Sequence, residues 1–439
     1  MRFILILMTA LALTACASLT VEHQPYQARP DARKLAVFMD GTGNDESSQS
    51  NLSKLHSLVR LTADTRVHAV YVRGVGLNGR VLGLTMGIGI GEDVRQAYRF
   101  LARNYRSGEN DEIYLFGFSR GGYAARILAG MIYVAGLPDL SAITGEDAQN
   151  ELIEQIYEAY EGEKSLDERR QLVGALKLPP MHHGVRITFM GLWDTIEALD
   201  VPDYEERIDH PNPDYVDQLC NIDRAVHAVS IDDNRAKLFT PILLTRQGLV
   251  ANCPELQSAH AQQEHIAHVV NEVWFSGSHT DVGGGYEGTS IDGISLNWMI
   301  GQLKPYGLLP PGAAVYGNFA DRTHDPSGNV LGYLYQKKHR SLSDYYTGQG
   351  ASLSGRLKLH QSVLDRMRIC GLKPHDSRWF RVSAARPGSV INRYWKCFRP
   401  IPGGRLEFRG CSDLIDVVDE GYNRFDIGQC YDQQTVPVS

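Results

Sequence analysis

The stretch EIYLFGFSRGG, residues 112–122, constrains this chain more than any other. Residues 112–118 read as a buried strand, and the small, apolar run from Gly122 to Val134 reads as a helix. Between them stands Gly117-Phe118-Ser119-Arg120-Gly121, a G-x-S-x-G pattern. A strand that becomes a helix within so few residues forces its serine into a strained conformation, and flanking glycines leave it room. The hydroxyl then projects above the strand end, at the N-terminus of the next helix. That is where a nucleophile belongs: the Arg120 N–H and the helix dipole both favour an oxyanion formed there.

The rest of the pattern agrees with a strand-and-helix repeat. LAVFM (35–39), VHAVYVRG (67–74), VRITFMGLW (185–193) and EVWFSG (272–277) read as further strands. Residues 92–106 read as a helix. Its apolar residues Val94, Ala97, Tyr98, Leu101, Ala102 and Tyr105 share one face, and Glu92 and Asp93 occupy the dipole-favoured first turn. Alternation of this kind predicts an α/β fold, a mostly parallel sheet with helices on both faces. The charged, helical residues 139–180 read as an insertion covering the sheet edge. After about residue 320 the chain becomes loop-rich. The 439 residues are 43% hydrophobic and 22% charged, a globular composition. With 44 basic and 51 acidic residues the net charge is −7, which argues against a nucleic-acid binder.

A serine hydroxyl needs a base, and the base needs a carboxylate to orient it. In chain order the candidates are Ser119, Asp194 and His279. Asp194 follows the strand ending Gly191-Leu192-Trp193, and His279 follows EVWFSG. Both fall at C-terminal strand ends, where α/β sheets place their sites. Asp281, two residues from His279, reads as an organiser of its glycine-rich turn. The second half of an oxyanion hole is expected from Asp40-Gly41-Thr42-Gly43-Asn44, with N–H groups from Gly41 and Thr42 and with Asp40 ordering the loop. Among the 15 histidines, His182, His183 and His260 sit in polar surface stretches. His265 and His268 have helical spacing but no completing ligand, so neither a metal nor any other cofactor is expected. Gly74-Val75-Gly76-Leu77-Asn78-Gly79 matches G-x-G-x-x-G, yet glycines 83, 87, 89 and 91 leave no immediate helix to hold a pyrophosphate. That loop reads instead as a lid or lipid-contacting surface, or as a packed buried loop.

The N-terminus carries its own signal. Met1-Arg2 precedes an apolar run, Phe3 to Leu13, too short for a bilayer that takes about 20 helical residues. It fits the h-region of a signal peptide, residues 1–15. Leu13-Thr14-Ala15-Cys16 resembles a bacterial lipobox, with Cys16 lipidated and residues 16–33 as a tether. Ala17 follows the cysteine where an inner-membrane retention signal would commonly have Asp, so the resemblance implies the outer membrane of a bacterial envelope. Six further cysteines (Cys220, Cys253, Cys370, Cys397, Cys411, Cys430) then suit an oxidising compartment, with pairing left open. Four of them fall in residues 321–439, a region expected to be disulfide-stapled, after a catalytic domain over 34–320.

Several stretches also resemble one family: FMDGTGN (38–44), the G-x-G-rich stretch before AYRFL (97–101), YLFGFSRGGYAAR (114–126), GLWDT (191–195), AVHAVSIDDNRAKLFTP (225–241), WFSGSHTDVGGGY (274–286) and LHQSVLDRM (359–367). They look like the uncharacterised α/β-hydrolase family that includes catalytic domains of type VI secretion phospholipase effectors. The resemblance implies an α/β-hydrolase fold, Ser119, Asp194 and His279 in the catalytic roles, and phospholipid acyl esters as substrate. A lipid anchor departs from secreted effectors and favours a housekeeping or envelope-remodelling esterase over an antibacterial toxin. The reading is therefore a lipid-anchored carboxylic ester hydrolase that needs no cofactor. The alternatives are a non-catalytic envelope lipoprotein that binds a partner with this fold, and an amidase or thioesterase using the same three residues.

Overall fold

The computed structural model describes residues 20–22, 32–74, 89–109, 111–197, 212–235, 239–326, 340, 357–370, 397–402, 405–408, 415–422 and 436–437. Its centre is a nine-stranded sheet among these residues. In chain order the strands are β1 (Thr20–Glu22), β2 (Lys34–Met39), β3 (Val67–Val72), β4 (Glu112–Phe118), β5 (Phe189–Trp193), β6 (Ala225–Ser230), β7 (Val270–Phe275), β8 (Leu357–His360) and β9 (Ile415–Val418). Across the sheet they run β1-β3-β2-β4-β5-β6-β7-β8-β9. All neighbours are parallel except β1, which pairs antiparallel with β3. The expected α/β class is thus observed.

Strands β2 to β7 are buried on both faces, which is why most of their sequences are nearly continuous apolar runs. In β2, Leu35, Val37 and Met39 enter one core and Ala36 and Phe38 the other. The first core is closed by α2 (Ile90–Asn104) and α3 (Arg120–Ala135), the second by α1 (Asn51–Arg60) and α8 (Asp292–Leu303). Helix α2 places Val94, Ala97, Tyr98 and Leu101 fully inside, as its periodicity predicts. It starts two residues earlier than its acidic turn suggested and stops at Tyr105, whose backbone is extended.

Three expectations change. The insertion at 139–180 forms α4 (Glu146–Tyr160) and α5 (Leu166–Gly174), which pack over α2 and α3 instead of covering the sheet edge. The stretch read as a tether contributes β1 to the sheet. The region after residue 320 contributes β8 and β9, so the sheet continues past that expected boundary. Cys220 and Cys253 form a disulfide, and Cys370 and Cys397 are disulfide-bonded too. Cys16, Cys411, Cys430 and the glycine-rich loop at 75–88 lie outside the described residues.

Candidate active site

The chain leaves β2 outward to β3, then returns to build β4 on the other side of β2. Open α/β sheets bind ligands at such a switch point, beyond the C-terminal strand ends. Ser119 follows β4 at this point, and Asp40 and Gly41 follow β2 beside it.

Ser119 has φ 59° and ψ −127°, a strained conformation for a residue with a side chain. The flanking glycines are required by close approach. A Cβ on Gly121 would lie 2.0 Å from the Met39 carbonyl oxygen, and one on Gly117 would lie 2.5 Å from the Gly121 oxygen. The motif therefore holds β4, its helix and β2 at backbone contact, and the serine takes the strain.

The Ser119 hydroxyl lies 2.8 Å from His279 Nε2, and His279 Nδ1 lies 2.5 Å from Asp194 Oδ2. All three residues are buried. They come from β4, β7 and β5 ends, up to 160 residues apart in sequence. The imidazole packs between Phe118 and Phe239, with ring centroids 4.7 and 4.9 Å away. Burial lowers its pKa, and the Asp194 carboxylate offsets this only in part. The ring is neutral near pH 7 and available as a base. Burial works to raise the pKa of Asp194, but the Arg340 guanidinium and the bond to His279 outweigh it and hold the carboxyl far below its usual range.

The remaining expected residues divide. Arg120 opens α3, where an α-helix leaves its first N–H groups to outside partners. Thr42 is exposed on the loop after β2. Gly41 departs from expectation: its N–H donates to Asp40 Oδ1 at 2.7 Å. Its lack of a side chain serves spacing, because a Cβ there would stand 3.1 Å from the Ser119 Cβ. Asp40 organises the loop as expected. It accepts hydrogen bonds from Asn44 (3.1 Å), Ser50 (2.5 Å) and the Tyr71 hydroxyl, and burial raises its pKa despite them. Asp281 caps the turn carrying His279, accepting from Ser278 N at 2.9 Å, and meets His324 Nδ1 at 2.6 Å. His265 and His268 lie on α6 (Ala259–Val269), and no metal-holding group of three or more His, Cys, Asp or Glu occurs among the described residues.

Two side chains at the site escaped the sequence reading. Arg340 spans both Asp194 oxygens, at 2.7 and 2.9 Å. Asp233 accepts the His279 backbone N–H at 3.1 Å, and its pKa is depressed to about 2, the cost of burial being outweighed by Arg235 and Arg340. Beneath them His227 Nε2 accepts the Thr195 N–H at 3.0 Å, and its Nδ1 meets Glu272 at 3.0 Å. That pair braces the turn at Asp194, whose φ is 36°.

Residues 33–302 match the model of the T6SS phospholipase effector Tle1-like catalytic domain. The chain belongs to that family. A Tle1-like domain is that of a carboxylic ester hydrolase, which suits a site built around a strained serine. The chain is also similar to an uncharacterized protein of Saccharomyces cerevisiae, 28% identical over 247 residues that cover 50% of this chain and 34% of that one. It therefore spans about a third of the length of this curated relative. Among solved structures it is similar to an uncharacterized protein from Pseudomonas aeruginosa, at 17% identity and TM-score 0.34, covering 63% of this chain and 46% of that one. It is similar as well to the Tle1 effector solved bound to the VgrG spike of the type 6 secretion system. There the identity is 17% and the TM-score 0.29, covering 60% of this chain and 52% of that one.

Proposed function

We propose that this Tle1-like protein is a lipid-anchored serine hydrolase that cleaves phospholipid acyl esters. Ser119 attacks the ester carbonyl while His279 takes its proton. Asp194 holds the imidazole in the tautomer with its proton on Nδ1 and stabilises the imidazolium as it forms. The Arg120 N–H and the Thr42 N–H stabilise the tetrahedral oxyanion, the first aided by the α3 dipole. His279 returns its proton to the leaving alcohol. It then activates a water that releases the fatty acid from Ser119.

The observation that carries this reading is the continuous hydrogen-bonded line from the strained Ser119 hydroxyl through His279 to Asp194. A binding module gains nothing from holding a serine at positive φ against a neutral imidazole. Export and lipidation at Cys16, placing the protein at the outer membrane, are supported by the N-terminal sequence and by the Cys220–Cys253 disulfide, which suits an oxidising compartment. Among the described residues no helix is long and apolar enough to cross a membrane.

The test is mass spectrometry of phospholipid vesicles after incubation with the purified protein and with its Ser119→Ala variant. Free fatty acid and lysolipid are expected from the first and not the second. An unchanged lipid profile, under conditions where small esters are cleaved, removes the phospholipase assignment. Acyl-thioester and amide substrates run in parallel separate a thioesterase or amidase.

A further inference from the structure

We propose that Arg340 is a positioning residue for the proposed reaction: it clamps the Asp194 carboxylate in the plane His279 requires and keeps the imidazole weakly basic. The inference rests on the serine-hydrolase reading above.

Every lone-pair direction of Asp194 is committed. Oδ1 accepts from Arg340 Nη1 at 2.7 Å and from Ser230 N at 2.9 Å. Oδ2 accepts from Arg340 Nη2 at 2.9 Å and meets His279 Nδ1 at 2.5 Å. A planar guanidinium gripping both oxygens fixes the rotation of the carboxylate, which one backbone N–H cannot do. Arg340 is itself held, donating to the carbonyls of Ser230 at 2.8 Å and Phe239 at 2.5 Å. Its side chain and that of Asp194 are both fully buried. Buried ion pairs are poor sources of stability, because desolvation offsets their attraction, so a role in the chemistry accounts better for this one.

The charge arithmetic points the same way. A carboxylate facing an imidazole raises its proton affinity. Here that carboxylate is already matched by a guanidinium, so much of its pull on a proton is spent. The other charged groups facing His279 are Asp233 and Arg235, which pair with each other at 2.7 Å. On the same short helix, α7 (His279–Gly283), Asp281 is engaged with His324. Behind the turn, Asp232 accepts the Gly277 N–H. Arg340 is thus the group whose removal leaves the Asp194 charge uncompensated. His279 then holds its proton to higher pH, and less free base remains at neutrality.

Two variants separate the two parts of the role. Arg340→Gln removes charge and fork. It should move the acid limb of kcat/KM, read on a p-nitrophenyl ester, upward by about one to two pH units and lower kcat with little change in KM. Arg340→Lys keeps the charge and loses the fork, so the acid limb should stay near the wild-type position while kcat still falls. The same titration is followed by NMR through the far-downfield imidazole proton shared by His279 and Asp194, which needs no turnover. An Arg340→Gln protein with the wild-type midpoint in both measurements overturns the proposal. If Arg340→Gln does not fold, Arg340→Lys decides: wild-type kcat in the folded lysine variant contradicts the clamp. An NMR shift in a protein that cleaves no ester retains the coupling of Arg340 to the His279–Asp194 pair and removes the hydrolase reading.

Discussion

Replacing Gly121 with alanine tests the backbone geometry that creates the strained serine. A Cβ at this position would lie 2.0 Å from the Met39 carbonyl oxygen and 2.5 Å from that of Asp40. Non-bonded atoms settle at roughly 3.5 Å, so α3 must retreat from β2 by at least about 1 Å. Both partners are backbone, so no side-chain rotation relieves the clash. Overpacking of this kind costs about 1–3 kcal/mol or more, and a displacement of about 1 Å in a reacting group costs on the order of a hundredfold in rate. Gly174, at the end of α5, is the control: a Cβ there meets nothing within 4 Å, and alanine is the better helix former by about 1 kcal/mol. Urea unfolding monitored by circular dichroism, with ester turnover on the same samples, gives both readings. Gly121→Ala should lose stability and most activity, while Gly174→Ala should match or exceed the parent. A Gly121→Ala protein with parental midpoint and rate would refute this reading of the turn between β4 and α3.

Other outcomes follow from the same geometry. Activity should rise with pH as His279 loses its proton, with a midpoint below the ordinary imidazole value of 6.5, because burial depresses this group; a midpoint above 6.5 counts against a buried neutral base. Stability should follow the same sign. The unfolded imidazole takes up a proton first, so folding weakens as pH drops below about 6.5. Asp194 adds stability above the unfolded carboxylate value, about 3.9, and loses it only as the pH falls toward its depressed folded value. Denaturant midpoints across acidic pH read both. Removing the Cys220–Cys253 disulfide, which closes a separation of 33 residues, should cost about 3–4 kcal/mol in the chain-entropy picture, read as the urea midpoint of a Cys220→Ala, Cys253→Ala double variant against the parent, both without reductant. An unchanged midpoint would show that the unfolded state is constrained by other means.

The sequence made the line of Ser119, His279 and Asp194 legible because each member follows a strand written in apolar residues. EIYLFGF, FMGLW and EVWF are buried on both faces, and Ser119 and Asp194 directly past the first two, with His279 four residues past the third, stand out against them. Strand β6 was harder to see. His227 interrupts its apolar run, and the reason lies in a partner, Glu272, 45 residues away. Strand β1 is three residues of a polar stretch and exists only through pairing with β3. Arg340 left no local mark: it follows Lys337, Lys338 and His339, and only the fold singles it out from these neighbours. The Gly41 N–H looked available from a glycine turn, but Asp40, one residue earlier, reaches it first. Local pattern locates strand ends, whereas side-chain partners up to 160 residues apart are set by strand order, which no single segment encodes.

The most direct measurement is covalent labelling with a fluorophosphonate probe, followed by peptide mapping. Reaction demands a serine made nucleophilic by a neighbouring base, whatever the natural acyl chain or head group. A single adduct on Ser119 is expected, absent from Ser119→Ala and formed at least about a hundredfold more slowly in His279→Ala. No adduct on the folded protein, an adduct on a different serine, or an unchanged rate without the imidazole would contradict the central claim.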